Sequence, residues 1–115
     1  MAKFTVRLAE ERDLPHLPAL ISASVGTLQK SFLTDAQIEA SRAIMGLDSQ
    51  LVRDGTYFVV ECDGRIVGCG GWSKRATLYG GDNSVHARDP ALLDPARDPA
   101  RVRAMYTHPD FARQG

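Results

Sequence analysis

The pattern of apolar and polar residues predicts four β-strands. Residues 4–8 alternate apolar and polar side chains, which is the pattern of a half-buried strand. Residues 57–69 form two apolar runs around Asp63–Gly64, a dipeptide typical of the two-residue turn of a β-hairpin. Residues 101–107 predict the fourth strand. The residues expected to share one face of that strand are Val102, Ala104 and Tyr106.

Two helical patterns lie between the first strand and the hairpin. Asp13 can cap the first helix, although two prolines make an irregular start the expectation. The apolar stripe of that helix is formed by Leu14, Leu17, Ile21, Val25 and Leu28. The second helix starts with a capping box at Thr34 and Gln37, and its apolar stripe continues through Ile38 and Met45.

The order of these elements predicts one mixed α/β domain over residues 1–115. Both faces of the 57–69 hairpin are largely apolar, and a sheet that is covered on both sides explains this pattern. The expected fold class is therefore a central, mostly antiparallel sheet with helices on both faces.

The two cysteines are predicted to be free and buried. In a regular hairpin Cys62 lies opposite Arg65, and Cys69 lies opposite Phe58 on the same face. Their separation would be roughly 13 Å along the sheet. A disulfide requires Cα atoms within about 7 Å, so none is expected, which agrees with a reducing compartment.

Composition excludes several classes of function. The 115 residues include 14 Lys and Arg against 14 Asp and Glu, so the formal net charge is zero and a nucleic-acid partner is disfavoured. No apolar run approaches the roughly 20 residues that span a bilayer, so no membrane partner is expected. We expect a cytoplasmic protein.

Residues 74–100 form a long connection without hydrophobic periodicity. The segment is rich in Gly, Asp and Pro and contains Ala-Arg-Asp-Pro-Ala twice, at residues 87–91 and 96–100. Connections of this length in a compact domain are functional lids or partly mobile segments. We expect a lid over a substrate.

The end of the chain carries the candidate chemistry. Residues 105–115 read Met-Tyr-Thr-His-Pro-Asp-Phe-Ala-Arg-Gln-Gly, a strand followed by a proline turn and a basic segment with glycine. Backbone N–H groups in such a turn can converge on an anion. The segment resembles the first part of the acyl-coenzyme-A-binding motif of the GNAT superfamily of N-acetyltransferases, and the preceding order of elements also resembles that family.

The resemblance implies a set of cofactor-binding residues. Acetyl-coenzyme A would be the donor, with its pantetheine arm paired to the backbone of the motif strand and its pyrophosphate on the amides of the turn. The residues at these positions are Met105, Tyr106, Thr107, Arg113, Gln114 and Gly115. Ala112 departs from the Gln or Arg that usually begins the signature. The resemblance ends within the motif, so the C-terminal half of that fold is expected to lie outside this chain.

The implied function is acetyl transfer to a primary amine of a small molecule or peptide. The resemblance identifies no catalytic residue here, and the candidates for a base are Glu61 and the acidic residues of the 82–98 segment. A histidine before a proline in a tight turn is typically structural, which applies to His108. The histidines show no metal-ligand spacing, so no metal site is expected.

A non-catalytic interaction module that keeps the front half of the same fold is the alternative. In that interpretation the motif strand is an open edge with unpaired backbone groups, which is a template for pairing with another chain. We expect either a homodimer or association with the missing C-terminal segment.

Overall fold

The computed structural model describes residues 3–30, 33–41, 46–76 and 91–114. Four antiparallel strands form one sheet in the order of the sequence, which confirms the predicted mixed α/β class. The strands are β1 (Phe4–Leu8), β2 (Tyr57–Cys62), β3 (Arg65–Ser73) and β4 (Arg101–Thr107).

Local capping signals determine where the helices begin. The helical elements are a 3-10 helix at Glu11–His16, then α1 (Leu17–Leu28), α2 (Asp35–Ser41) and α3 (Ser49–Arg53). The irregular start is confirmed, but the prediction that Asp13 caps the first helix was wrong: the N-cap of α1 is His16, and Asp13 instead forms a capping box with Glu10 at the 3-10 turn. The capping box of α2 is also confirmed, because the Gln37 N–H donates to Thr34 Oγ1 at 3.2 Å. The continuation of α2 to Met45 lies outside the described residues.

The described helices pack on one face of the sheet, which we call the helical face. Their apolar residues join Tyr57, Val59, Cys69 and Tyr106 in one core. The opposite face, which we call the exposed face, keeps several large apolar side chains at the surface: Val6, Leu8, Phe58, Trp72, Val102 and Met105. Helices on this second face are not among the described residues.

The hairpin contains the predicted turn and an irregularity that the sequence pattern did not show. Asp63 and Gly64 have φ values of 53° and 79°, as a tight turn between twisted strands requires. A β-bulge between Val60 and Glu61 shifts the register. Cys62 pairs with Arg65 as predicted. The prediction for Cys69 was wrong: the bulge adds one residue to β3, so Cys69 lies opposite Val59 and not opposite Phe58. Both cysteines are free and buried, and Cys69 belongs to the helical-face core.

A second bulge interrupts β4. Cys69 pairs with Tyr106 but Gly71 pairs with Arg103, so β4 has an extra residue between these pairs. Ala104 adopts φ 52°, a left-handed conformation that is uncommon for a residue with a side chain. The prediction that Val102 shares a face with Tyr106 was therefore wrong: Val102 is 72% exposed on the other face, and Arg103 is buried instead.

The described parts of the 74–100 connection pair with each other, and the first of them is also bound to Asp54. Arg75 pairs with Leu92 in an isolated antiparallel bridge. The Arg75 guanidinium also donates to both oxygens of Asp54, at 2.8 and 2.7 Å. Residues 77–90, where most of the expected lid falls, lie outside the described residues.

Candidate functional site

β4 presents a backbone edge that has no partner strand among the described residues. Its other edge pairs with β3. The last hydrogen bond of this pairing is donated by the His108 N–H to the Val67 carbonyl at 2.8 Å. The edge includes Met105, Tyr106 and Thr107, the three strand positions expected to bind pantetheine. Unpaired N–H and C=O groups on such an edge are able to pair with an extended ligand as another strand would.

The side chains of those three residues point in different directions. Met105 is 67% exposed on the exposed face, whereas Tyr106 is buried on the helical face. The Tyr106 hydroxyl accepts a hydrogen bond from the Gly46 N–H at 2.8 Å. The three residues therefore share one backbone edge, but their side chains do not form a cluster.

The β4 bulge is held from the helical face by two side chains. The Tyr57 hydroxyl on β2 donates to the Ala104 carbonyl at 2.6 Å. Arg103 lies 3.4 Å from the Asp48 carboxylate, and both side chains are buried. Because both contacts are made by residues just before Met105, they fix the path of the strand where the candidate edge begins.

Burial changes the acid–base properties of the groups below the bulge. Tyr57 is fully buried, and this desolvation raises the pKa of its hydroxyl far above the usual value, with Cys69 as the next contributor. Burial likewise raises the pKa of the Cys69 thiol. At neutral pH both groups are protonated, so they act as hydrogen-bonding groups and not as nucleophiles.

The segment after β4 brings the predicted turn residues next to the strand. His108 precedes a 3-10 helix at Pro109–Phe111, and Arg113 takes φ 62° in the following turn. Thr107, Arg113 and Gln114 line one cavity of about 210 Å³ together with Phe4 and Phe111. The structure thus brings three of the predicted positions together, and Gly115 lies outside the described residues.

A larger cleft, of about 820 Å³, lies beside the hairpin turn. We call it the hairpin cleft; its charged and imidazole side chains come from Arg7, Arg12, Asp13, His16, Glu61, Arg65 and His108. Arg7 donates to both oxygens of Asp13 at 2.8 Å and also pairs with Glu61. The hydrogen bond from Arg7 lowers the pKa of the buried Asp13 to about 2.

The candidate bases proposed from sequence are engaged in structural contacts. Glu61 pairs with Arg7, as described above. In the 82–98 segment, Asp94 accepts from the Ala96 N–H at 2.9 Å, and Asp98 accepts from the Asp94 N–H at the same distance. Asp82 and Asp89 lie outside the described residues. The geometry therefore assigns no base among the described carboxylates.

Sequence reasoning missed the side chains that hold the bulge. Asp48 and Tyr57 had no motif around them, and their contacts cross 55 and 47 residues of chain. The adjacent glycines of β3 were the available signal. A Cβ on Gly70 would lie 2.8 Å from the Met105 side chain, so the small residue marks where β4 approaches closely.

The described ranges contain neither a cluster of metal ligands nor a membrane-spanning helix. No three His, Cys, Asp or Glu side chains come together there as metal ligands. None of the helices in these ranges has the length and apolar character required to cross a membrane.

The comparison with known proteins shows the fold. No family model and no curated protein matches the chain. Among solved structures, the chain is similar to a GCN5-related N-acetyltransferase from Kribbella flavida, with a TM-score of 0.54 and 14% sequence identity. The match covers 99% of this chain but 24% of that one, so the chain spans about a quarter of its length. The chain therefore has a GNAT-like fold.

Proposed function

We propose that the chain is part of an N-acetyltransferase that moves an acetyl group from acetyl-coenzyme A to a primary amine. The observation that carries this proposal is the open edge of β4, which continues into the His108–Gln114 turn within a GNAT-like fold. An extended pantetheine arm fits an unpaired strand edge, and a pyrophosphate fits a turn whose backbone N–H groups converge.

The described residues supply binding and orientation. The backbone of Met105 to Thr107 would hold the arm, and a backbone N–H near Tyr106 would polarise the thioester carbonyl. Such polarisation lowers the barrier because the oxygen gains negative charge as the amine attacks. Attack by the neutral amine on the thioester carbon forms the C–N bond and breaks the C–S bond, and the surplus proton of the nitrogen is transferred, by way of a base, to the departing coenzyme A thiolate. No described side chain is assigned as the base.

The cofactor turn can be tested by substitution of its glycine. Gly115→Val would place a β-branched side chain where the backbone must approach the pyrophosphate, so acetyl-coenzyme A binding should weaken by about tenfold or more. Isothermal calorimetry on the chain measures this. Ala100→Val adds similar bulk at an exposed position outside the motif and should bind as the unaltered chain does. Equal affinity of all three proteins would remove this turn from the proposal.

The proposal extends to a lid at residues 74–100 and to a cytoplasmic location. A lid at residues 74–100 would predict that shortening the segment changes the Michaelis constant for the amine more than the melting temperature. A cytoplasmic location would supply both acetyl-coenzyme A and the reducing conditions that suit two free thiols. The open edge of β4 would also serve the non-catalytic alternative, and the likeness to an N-acetyltransferase is what supports the enzyme.

A further inference from the structure

Two N–H donors compete for the single acceptor nitrogen of the His108 ring. The Asp110 N–H donates to Nδ1 at 3.1 Å, and Arg65 Nη2 lies 3.0 Å from Nε2. A neutral imidazole carries one N–H and one acceptor nitrogen. Both ring nitrogens therefore face N–H donors, although only one of them can accept.

The cap of the 3-10 helix decides which nitrogen accepts. His108 is the residue before Pro109–Phe111, and the Phe111 N–H donates to its carbonyl at 2.9 Å. This turn fixes the Asp110 N–H against Nδ1, and the tautomer that satisfies this cap is the one with its proton on Nε2. The Nε2–H and the Arg65 guanidinium are then two donors side by side, with no acceptor between them.

The surroundings hold Arg65 in place without neutralising it. Its guanidinium carbon lies 5.6 Å from the centre of the Phe111 ring, a cation–π distance. No carboxylate pairs with Arg65 in the described part of the chain, because Asp13 and Glu61 of the same cleft both bind Arg7. Arg12, the other arginine of the cleft, pairs with Glu10.

We propose that Arg65 and His108 form a binding site for an oxyanion of the phosphate class, at the wall of the hairpin cleft. One oxygen placed between the two groups accepts from the Nε2–H and from the guanidinium, and this removes the contact between donors. Hydrogen bonds from a charged donor to an oxyanion are the stronger kind, and the planar guanidinium suits them. The cleft, of about 820 Å³, has room for a group much larger than phosphate.

The site does not depend on acetyl transfer. Its phosphate could belong to coenzyme A, since His108 directly follows β4, or to an anionic acceptor. Inorganic phosphate is therefore the first probe. Coenzyme A and dephospho-coenzyme A, which lacks the 3′-phosphate, then distinguish the sources: a weaker response to the second assigns the 3′-phosphate, and equal responses assign the site to another phosphate.

Nuclear magnetic resonance of the 115-residue chain tests the proposal. The ring ¹⁵N shifts of His108 should show the Nε2–H tautomer in the free chain, and phosphate should shift them saturably. Arg65→Met should weaken phosphate binding about tenfold, as expected when one charged hydrogen-bonding partner is lost. Arg12→Met removes a paired arginine from the same cleft and should change the affinity less than about twofold.

A second variant separates binding from folding. His108→Asn keeps a side-chain acceptor for the Asp110 N–H, since asparagine is a favoured cap residue, but it removes the Nε2–H. It should weaken phosphate binding as Arg65→Met does while its circular dichroism and melting temperature stay near those of the unaltered chain. An Nδ1–H tautomer, or phosphate binding that neither variant alters, would overturn the proposal.

Discussion

At the scale of single residues, Asp13 shows how one buried carboxylate depends on one arginine. Asp13 is 3% exposed and receives two hydrogen bonds from Arg7 and one from the Glu10 N–H. Burial alone would raise its pKa, but the hydrogen bonds from Arg7 outweigh desolvation and lower the pKa from 3.8 to about 2. The ionised form is therefore the one that the folded chain stabilises.

The stability of the chain should consequently fall with acid in a defined interval. Because the folded pKa of Asp13 lies below the unfolded value of 3.8, the stabilisation is complete above about pH 5 and is lost as pH falls toward 2. At about 1.4 kcal/mol per pKa unit, the contribution is about 2 kcal/mol. Urea unfolding of the chain and of Asp13→Asn at several pH values measures it. The variant should lose this part of the acid dependence, and parallel curves for both proteins would refute the assignment.

At the scale of elements, the start of α2 could be predicted and the bulges could not. The capping box at Thr34 involves residues three apart, so the sequence contains the whole signal. Register in the sheet depends on pairing between distant strands. A single extra residue reverses which face the side chains on one side of it occupy. The bulge in β4 misplaced Val102, and the bulge in the hairpin misplaced Cys69.

The candidate site, like the elements, could be predicted from the sequence only in part. The strand and turn that carry it were recognised from a continuous segment, residues 105–115. The buried groups that shape the strand come from β2 and from the residue before α3, and these contacts form only in the folded chain. The positions of the backbone groups are thus predictable from sequence, whereas the contacts that orient them are not.

The bulge in β4 should depend on the Tyr57 hydroxyl. Tyr57→Phe removes the donor to the Ala104 carbonyl and should cost about 1 kcal/mol of the free energy of unfolding. It should also shift the amide resonances of Met105 and Tyr106, because the left-handed Ala104 loses its fixed carbonyl. Thr56→Val is the matched control, since it removes a neighbouring buried hydroxyl that donates to Leu51, away from β4. Unchanged β4 resonances in Tyr57→Phe would show that the bulge is held by other contacts.

Two glycines of β3 should differ sharply in their tolerance of a methyl group. A Cβ on Gly71 would lie 2.2 Å from the Thr56 carbonyl oxygen, a backbone atom that has little freedom to move. Gly71→Ala should therefore destabilise the chain by about 2 kcal/mol or more. On Gly68 the nearest atom would be 3.5 Å away, so Gly68→Ala should be tolerated. Chemical denaturation compares them, and equal midpoints would contradict this account of β2–β3 packing.

At the scale of the whole molecule, the sheet has one packed face and one exposed face. Val102 is 72% exposed, Met105 67% and Val6 66%, and these residues come from the two outermost strands. Trp72 and Phe58 lie between them on the same face, at 40% and 36%. An apolar surface that crosses an entire sheet is typical of a contact with another chain or segment. The edge of β4 adds backbone groups to the same surface.

We therefore expect the isolated chain to self-associate through the exposed face. Light scattering should give a mass that rises above 12.5 kDa with concentration. Val102→Lys combined with Val6→Lys places two charges on this face and should restore the monomer, because burial of an unpaired charge opposes association. Leu28→Lys changes an apolar residue at the end of α1, away from the exposed face, and should associate as the unaltered chain does. A chain that stays monomeric at all concentrations, or association that the paired lysines leave unchanged, would show that this face does not mediate contact between copies.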